Sequence, residues 1–218
     1  MPGLEPDNIS PLVLKETSLP LGNYSESCAF CTIAHAFPPS PNLSSPTPSP
    51  NGDPVIFPQA HIIVSTDGVL AFLDIQPLTR GHVLVCPRSH VERVTDMTPT
   101  ESCRVGAWLP IIARAVMKTA GVMDFNVVQN NGIHAAQVVP HVHYHIIPRP
   151  SNEEREQLIH KQGARWLISK YGDGVRTDLD DEEGAVVAGE IRGNIFSELQ
   201  EMERDGNGRI ERKLLSSL

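Results

Sequence analysis

A chain of 218 residues, 40% of them hydrophobic, has enough apolar mass for one sizeable core, and its net charge of -8 argues against extended contact with nucleic-acid phosphates. No apolar run approaches the roughly 20 residues of a membrane span, and Met1-Pro2-Gly3-Leu4-Glu5-Pro6-Asp7 lacks the basic start and apolar stretch of a secretory signal. The expectation is a cytoplasmic protein, with a nuclear location left open and neither nucleic acid nor membrane as partner. Four cysteines are too few for a disulfide scaffold, so Cys28-Ala29-Phe30-Cys31 reads as a metal or redox pair.

Residues 1–27 carry Pro2, Pro6, Pro11 and Pro20 without a sustained period and read as an irregular lead-in. The stretch at about 38–58 is rich in Pro, Ser and Asn and reads as a flexible insertion in a surface loop, because it has little apolar surface to bury. Ile62-Ile63-Val64-Ser65 begins the ordered part. Val69 to Ile75 and His82 to Pro87 then read as two buried strands, punctuated by Pro77 and Gly81 in the manner of an antiparallel hairpin. A helix follows with Thr98 as cap, Pro99 in its first position and Glu101 completing a capping box. Val105, Leu109, Ile112 and Val116 give it an apolar stripe, Pro110 should bend it, and Gly121 should end it. Phe125 to Gln129 is a further strand candidate.

The segment Pro140-His141-Val142-His143-Tyr144-His145-Ile146-Ile147-Pro148 carries the most chemistry. On a strand its three imidazoles share one face, about 6.5 Å apart, while Val142, Tyr144 and Ile146 fill the other. Core packing does not call for three titratable rings on one face. From the residues alone the segment suits a transition-metal site, a phosphate site or a nucleophile with supporting imidazoles. Cys28 and Cys31 have zinc-knuckle spacing, and a tetrahedral site would take two further ligands from histidines such as His82, His90 and the triplet. Residues 151–218 form an acidic extension, in which Val187, Ile191, Ile195 and Leu199 mark a helix and the acids from Asp178 to Glu183 suit its N-terminus.

His141-Val142-His143-Tyr144-His145-Ile146-Ile147 resembles the signature of the histidine triad nucleotide hydrolases. Ala71-Phe72-Leu73-Asp74-Ile75-Gln76-Pro77, Gly81-His82-Val83-Leu84-Val85, Pro87-Arg88-Ser89-His90 and Asn130-Asn131-Gly132 are similar to the same superfamily in the same order. The resemblance runs from about Cys28 to Pro150 and is to the fungal-like or bacterial-like, zinc-containing type. It implies an α+β fold, an antiparallel sheet with the capped helix between strands and a helical extension behind it, and a homodimer. A purine nucleotide is the implied substrate. His143 is implied as the nucleophile that becomes transiently nucleotidylated, with His145 and His82 at the α-phosphate and Gln137 and Asn130 beside the phosphate and leaving group. Phe72, Asp74 and Ile75 match the nucleoside pocket. Cys28, Cys31, His90 and His141 match the ligands of a structural Zn2+ ion. Val138 departs from the pattern, standing where members carry a Ser or Thr, which opens the leaving-group preference. The implied reaction is hydrolysis of a purine nucleoside phosphoramidate or nucleotidyl conjugate to the monophosphate. The alternatives are a dinucleoside polyphosphate hydrolase and a nucleotide-binding sensor with vestigial catalysis.

Overall fold

The computed structural model describes residues 24–40, 60–151, 153 and 178–204. Most of the lead-in and of the Pro-rich insertion lies outside these residues. Five strands, β1 (Ile62–Ser65), β2 (Val69–Leu73), β3 (Val83–Pro87), β4 (Phe125–Gln129) and β5 (Tyr144–Pro148), form one antiparallel sheet in the order β1-β2-β3-β5-β4. Three helices accompany it: α1 (Ala29–Ala36), α2 (Pro99–Ala120) and α3 (Asp181–Arg204). This is the α+β architecture expected.

Strand alternation divides the interior in two. Val69, Ala71, Leu73, Val83, Val85 and Ile146 face α2 and α3, whereas Leu70, Phe72, Leu84 and Cys86 face α1. Because both faces of β2 and β3 are covered, these strands read as continuous apolar runs rather than alternating ones. The β2–β3 hairpin pairs in register from Val69↔Pro87 to Leu73↔Val83. It is shorter than its sequence suggested. Asp74 accepts the Gln76 amide at 2.8 Å in a side-chain turn, so the strand ends at Leu73.

The histidine segment also differs from the expected strand. β5 begins at Tyr144, so His141 and His143 precede the ladder and only His145 lies in it, opposite Leu84 and Val128. The neighbouring strand ends at Pro87, which has no N–H to continue pairing. Its carbonyl instead meets the His141 ring, Nε2 to O at 2.9 Å, and the Val142 amide donates to Val91 O at 2.7 Å. The alternation survives the loss of ladder: Val142 and Ile146 are buried on one side while the imidazoles turn toward α1.

α2 carries the expected capping box, with Thr98 Oγ1 accepting from the Glu101 amide at 3.2 Å and Glu101 accepting from the Thr98 amide at 2.8 Å. Gly121 ends it in the left-handed region (φ 70°). The helix continues through Pro110, which lies on its exposed side where a lost N–H donor costs least. α3 lays Val187, Ile191, Ile195 and Leu199 onto α2, and Asp180 accepts the Glu182 and Glu183 amides as its cap. No helix among the described residues is long and apolar enough to cross a membrane.

His61, just before β1, fixes the start of α3. Its Nε2 lies 3.6 Å from Asp181, and its ring is packed so closely on Gly184 that a Cβ there would collide with it. Burial holds the His61 pKa below the ordinary imidazole value, with Asp181 partly opposing and Arg192 adding to the shift. The unfolded chain therefore binds more protons than the folded one between the unperturbed value and the lowered one, and stability falls as pH drops through that window. Melting curves from about pH 7 to pH 5 should show a shallower decline for His61→Gln than for the wild type. Parallel declines would contradict the assignment.

Candidate functional site

Two clusters of ligating side chains meet at the start of β5, with His143 between them. In the first, Cys28 stands at the N-terminus of α1, Cys31 one turn along, His90 follows β3 and His141 precedes β5. Cys28 Sγ lies 3.4 Å from His141 Nδ1, Cys31 Sγ lies 3.4 Å from His90 Nδ1 and 3.7 Å from His141 Nδ1, and all four ligand atoms fall within 4.8 Å of one another. Tetrahedral zinc, with Zn–S near 2.3 Å and Zn–N near 2.05 Å, would separate S and N ligands by about 3.6 Å. The four residues therefore fit such an ion as they stand.

Protonation agrees with that fit. Burial, with lesser help from nearby His90 and His143, lowers the His141 pKa to about 4, so the ring is neutral as a ligand must be. Its Nε2–H is donated to Pro87 O, which turns Nδ1 toward the cysteines and supplies the outer-shell partner that ligating histidines usually have. Burial raises the Cys31 thiol to about 11, with Cys28 adding to the effect, so without a cation beside it this sulfur keeps its proton. Cys86, fully buried in β3, is also pushed up by burial and donates to Leu70 O, as a structural thiol would.

The second cluster is Asp74, His82 and His145. The Leu78 amide donates to His82 Nδ1 at 3.1 Å, so His82 carries its proton on Nε2 and presents it to His145 Nδ1, 3.0 Å away. His145 in turn bears its proton on Nε2. A backbone amide thus sets the tautomers of two successive rings. Asp74, largely buried, places Oδ2 3.5 Å from His82 Nδ1.

His143 is 5% exposed, and its ring lies 4.9 Å from that of His145, centroid to centroid. Its Nδ1 donates to the His141 carbonyl at 2.6 Å, which leaves the Nε2 lone pair available. Burial holds its pKa below the usual imidazole range. The ring is therefore neutral at pH 7, the form that can attack an electrophile.

Gln137 is drawn in by Ala136, a non-glycine residue held at φ 62°, in a loop that also turns at Gly132. Its Oε1 accepts the Gly132 amide at 2.5 Å, while Nε2 donates to Glu92 O at 2.7 Å and lies 3.4 Å from His141 O. Gln137 thus braces the carbonyl that orients His143. Phe72 is buried beside α1, Ile75 is 57% exposed on the loop after β2, and Asn130 follows β4, half-buried. Val138 is 88% exposed.

Phe30, between the two cysteines, was not singled out in the sequence. Its ring meets Phe72 at 5.2 Å, His141 at 5.7 Å and His143 at 5.2 Å, each edge to face. An aromatic residue trapped between two candidate ligands was the available signal. Arg88 is 3% exposed and donates to Ala34 O and Phe37 O, closing the C-terminal end of α1 and so holding the cysteine helix in place.

Residues 58–152 match the family model of the HIT domain. An uncharacterized HIT-like protein of Methanocaldococcus jannaschii is 36% identical over 122 residues, 56% of this chain and 84% of that protein. The chain belongs to the HIT family. Another relative, adenosine 5'-monophosphoramidase hnt1 of Schizosaccharomyces pombe, is 46% identical over 84 residues, which cover 38% of this chain and 60% of that one. Among solved structures, a Zn-bound histidine triad family protein of Mycobacterium smegmatis superposes with a TM-score of 0.54 at 27% identity, over 78% of this chain and 96% of that one. In HIT terms the imidazole triplet of this chain is divided, His141 turning to the cysteines, His145 to His82, and His143 standing between.

Proposed function

We propose that the protein is a nucleotide hydrolase that attacks the α-phosphorus of a purine nucleoside phosphoramidate or nucleotidyl conjugate through His143. The observation that carries this reading is the His143 Nδ1–His141 O bond of 2.6 Å, which aims a neutral, largely buried Nε2 beside the His82–His145 pair. In the first step Nε2 forms a bond to phosphorus and the leaving group departs with the electron pair of the broken bond. In the second, water attacks the nucleotidyl-imidazole, releases the nucleoside monophosphate and restores His143. Splitting one displacement into two is what a covalent nucleophile contributes. The His145 Nε2–H, set in place by the His82 Nε2–H on His145 Nδ1, offsets the charge that grows on the phosphoryl oxygens, while Asp74 offers acceptor capacity to the ribose hydroxyls and Phe72 and Ile75 border the base. Asn130 and Gln137 are assigned to the leaving-group side in this reading, Gln137 also steadying the His141 carbonyl.

In this reading Cys28, Cys31, His90 and His141 hold zinc in a closed structural site. With all four positions taken by protein, such an ion would tie α1 to the start of β5 and would supply no activated water. The homodimer has an available face in β4, an edge strand whose Phe125, Val127 and Val128 are all exposed. A dinucleoside polyphosphate is the second reading, favoured by exposed Ile133 (80%) and Val138 (88%), which give a second nucleoside an apolar rim.

Rates on adenosine phosphoramidate, diadenosine polyphosphates and adenylylsulfate, measured side by side on the pure protein, test these readings. The first expects the phosphoramidate or adenylylsulfate to have the highest kcat/KM. A preference for the dinucleotides would move the assignment to the second reading, and absence of turnover on all three would leave a nucleotide-binding sensor.

A further inference from the structure

The loop from Asp74 to His82 carries two groups that the proposed reaction needs, and it is held from outside the matched HIT domain. Gln76 Nε2 donates to Asp178 Oδ1 at 3.0 Å, and the Leu179 amide donates to the Ile75 carbonyl at 2.7 Å. Arg80 reaches from the same loop to Glu190 at 3.1 Å and Glu183 at 3.6 Å on α3. Leu179, Glu183 and Val187 wall a small void with Asp74, Gly81 and His82, directly behind the two functional side chains. α3 itself is firmly seated, for Val187, Ile191 and Ile195 are buried and Arg192 donates to Ile62 O at 2.6 Å. The part of this loop that is exposed, Ile75 and Gln76, would otherwise sample several conformations, and these bonds remove some of them.

We propose that Asp178 and Leu179, backed by α3, are positioning residues for the nucleotide site. They latch the loop so that the Leu78 amide stays on His82 Nδ1 and the Asp74 carboxylate stays where a ribose would meet it. The inference rests on the nucleotide-hydrolase reading above and adds to it a contribution from the C-terminal extension. The latch acts on ribose recognition more than on folding, because Asp178 and its partner Gln76 are both exposed and bury no apolar surface.

The test uses the full-length chain and two probes, adenosine phosphoramidate and its 2′-deoxy counterpart, with kcat and KM resolved for each. The wild type should prefer the ribose substrate. Asp178→Ala and Gln76→Ala should each lower that preference about threefold, and the double variant should go no further, since both remove one bond. Leu179→Pro, which deletes the amide donor, should lower it about tenfold, mainly through KM. Asp178→Asn, which keeps an acceptor oxygen, should restore it. Arg114→Ala, which breaks a 2.8 Å bond to Glu198 elsewhere on α3, should leave it unchanged. Variants that keep the wild-type ratio overturn the latch, whatever happens to their melting temperatures. A wild type that does not distinguish the two probes refutes the ribose role of Asp74 and the latch with it, a result that can be told apart from the former because it appears before any substitution.

Discussion

Replacing His143 by alanine or asparagine is expected to lower kcat by roughly a thousandfold or more while leaving nucleotide affinity within a few fold. The separation follows from where the contacts sit. Binding is spread over Asp74, Phe72, His82 and His145, on β2, β5 and the loop between β2 and β3, whereas the attacking lone pair belongs to one ring. Calorimetric titration of the variant with a nucleoside monophosphate, alongside its turnover, resolves the two. A variant that turns over at near wild-type rate would end the covalent mechanism. One that loses both binding and folding would mean that the buried ring, in edge contact with Phe30, is chiefly a packing element.

The second large effect concerns the cysteine helix. Cys28→Ser should empty the proposed zinc site and lower the melting temperature by roughly 10 °C, because metal binding energy forms part of the folding energy of a knuckle. Elemental analysis of the purified protein should give one zinc per chain in the wild type and little in the variant. Activity should fall only as far as the start of β5 loosens. Phe30 carries that coupling, since it touches both His141 and His143 from the same turn of α1. A wild type that is metal-free, stable and active would refute the site. Rapid loss of rate on chelation, in protein that stays folded, would place the metal at the phosphate and require new roles for His82 and His145.

Local signals in the sequence reached the structure where a short stretch of chain decides the outcome. Thr98, Pro99 and Glu101 specify one helix start by bonds that span three residues, and Gly121 ends that helix because it tolerates the left-handed region. The two-residue period of the histidine segment gave the correct face for each ring, but not the start of the strand. That start depends on Pro87 in another strand and on Val91, neither of which periodicity can see. The four cysteine and histidine candidates converge as the resemblance implied, though Cys28 and His141 are 113 positions apart. The tautomer order from Leu78 through His82 to His145, the bracing of His141 O by Gln137 and the grip of Asp178 on Gln76 were not legible. Each is a hydrogen bond between groups with no shared period or motif, set by how the loops meet in the fold.

Covalent catalysis here requires a bond between His143 Nε2 and the α-phosphorus. It is tested most directly by mixing excess enzyme with adenosine phosphoramidate, quenching within the first turnover at alkaline pH, where a phosphorus–nitrogen bond to imidazole survives, and weighing the intact protein and its peptides. The expected product is a protein heavier by one adenylyl group, with the added mass on the peptide carrying His143 and absent from His143→Ala. Full product formation with no adduct at any time, or an adduct on His82 or His145 instead, would contradict it.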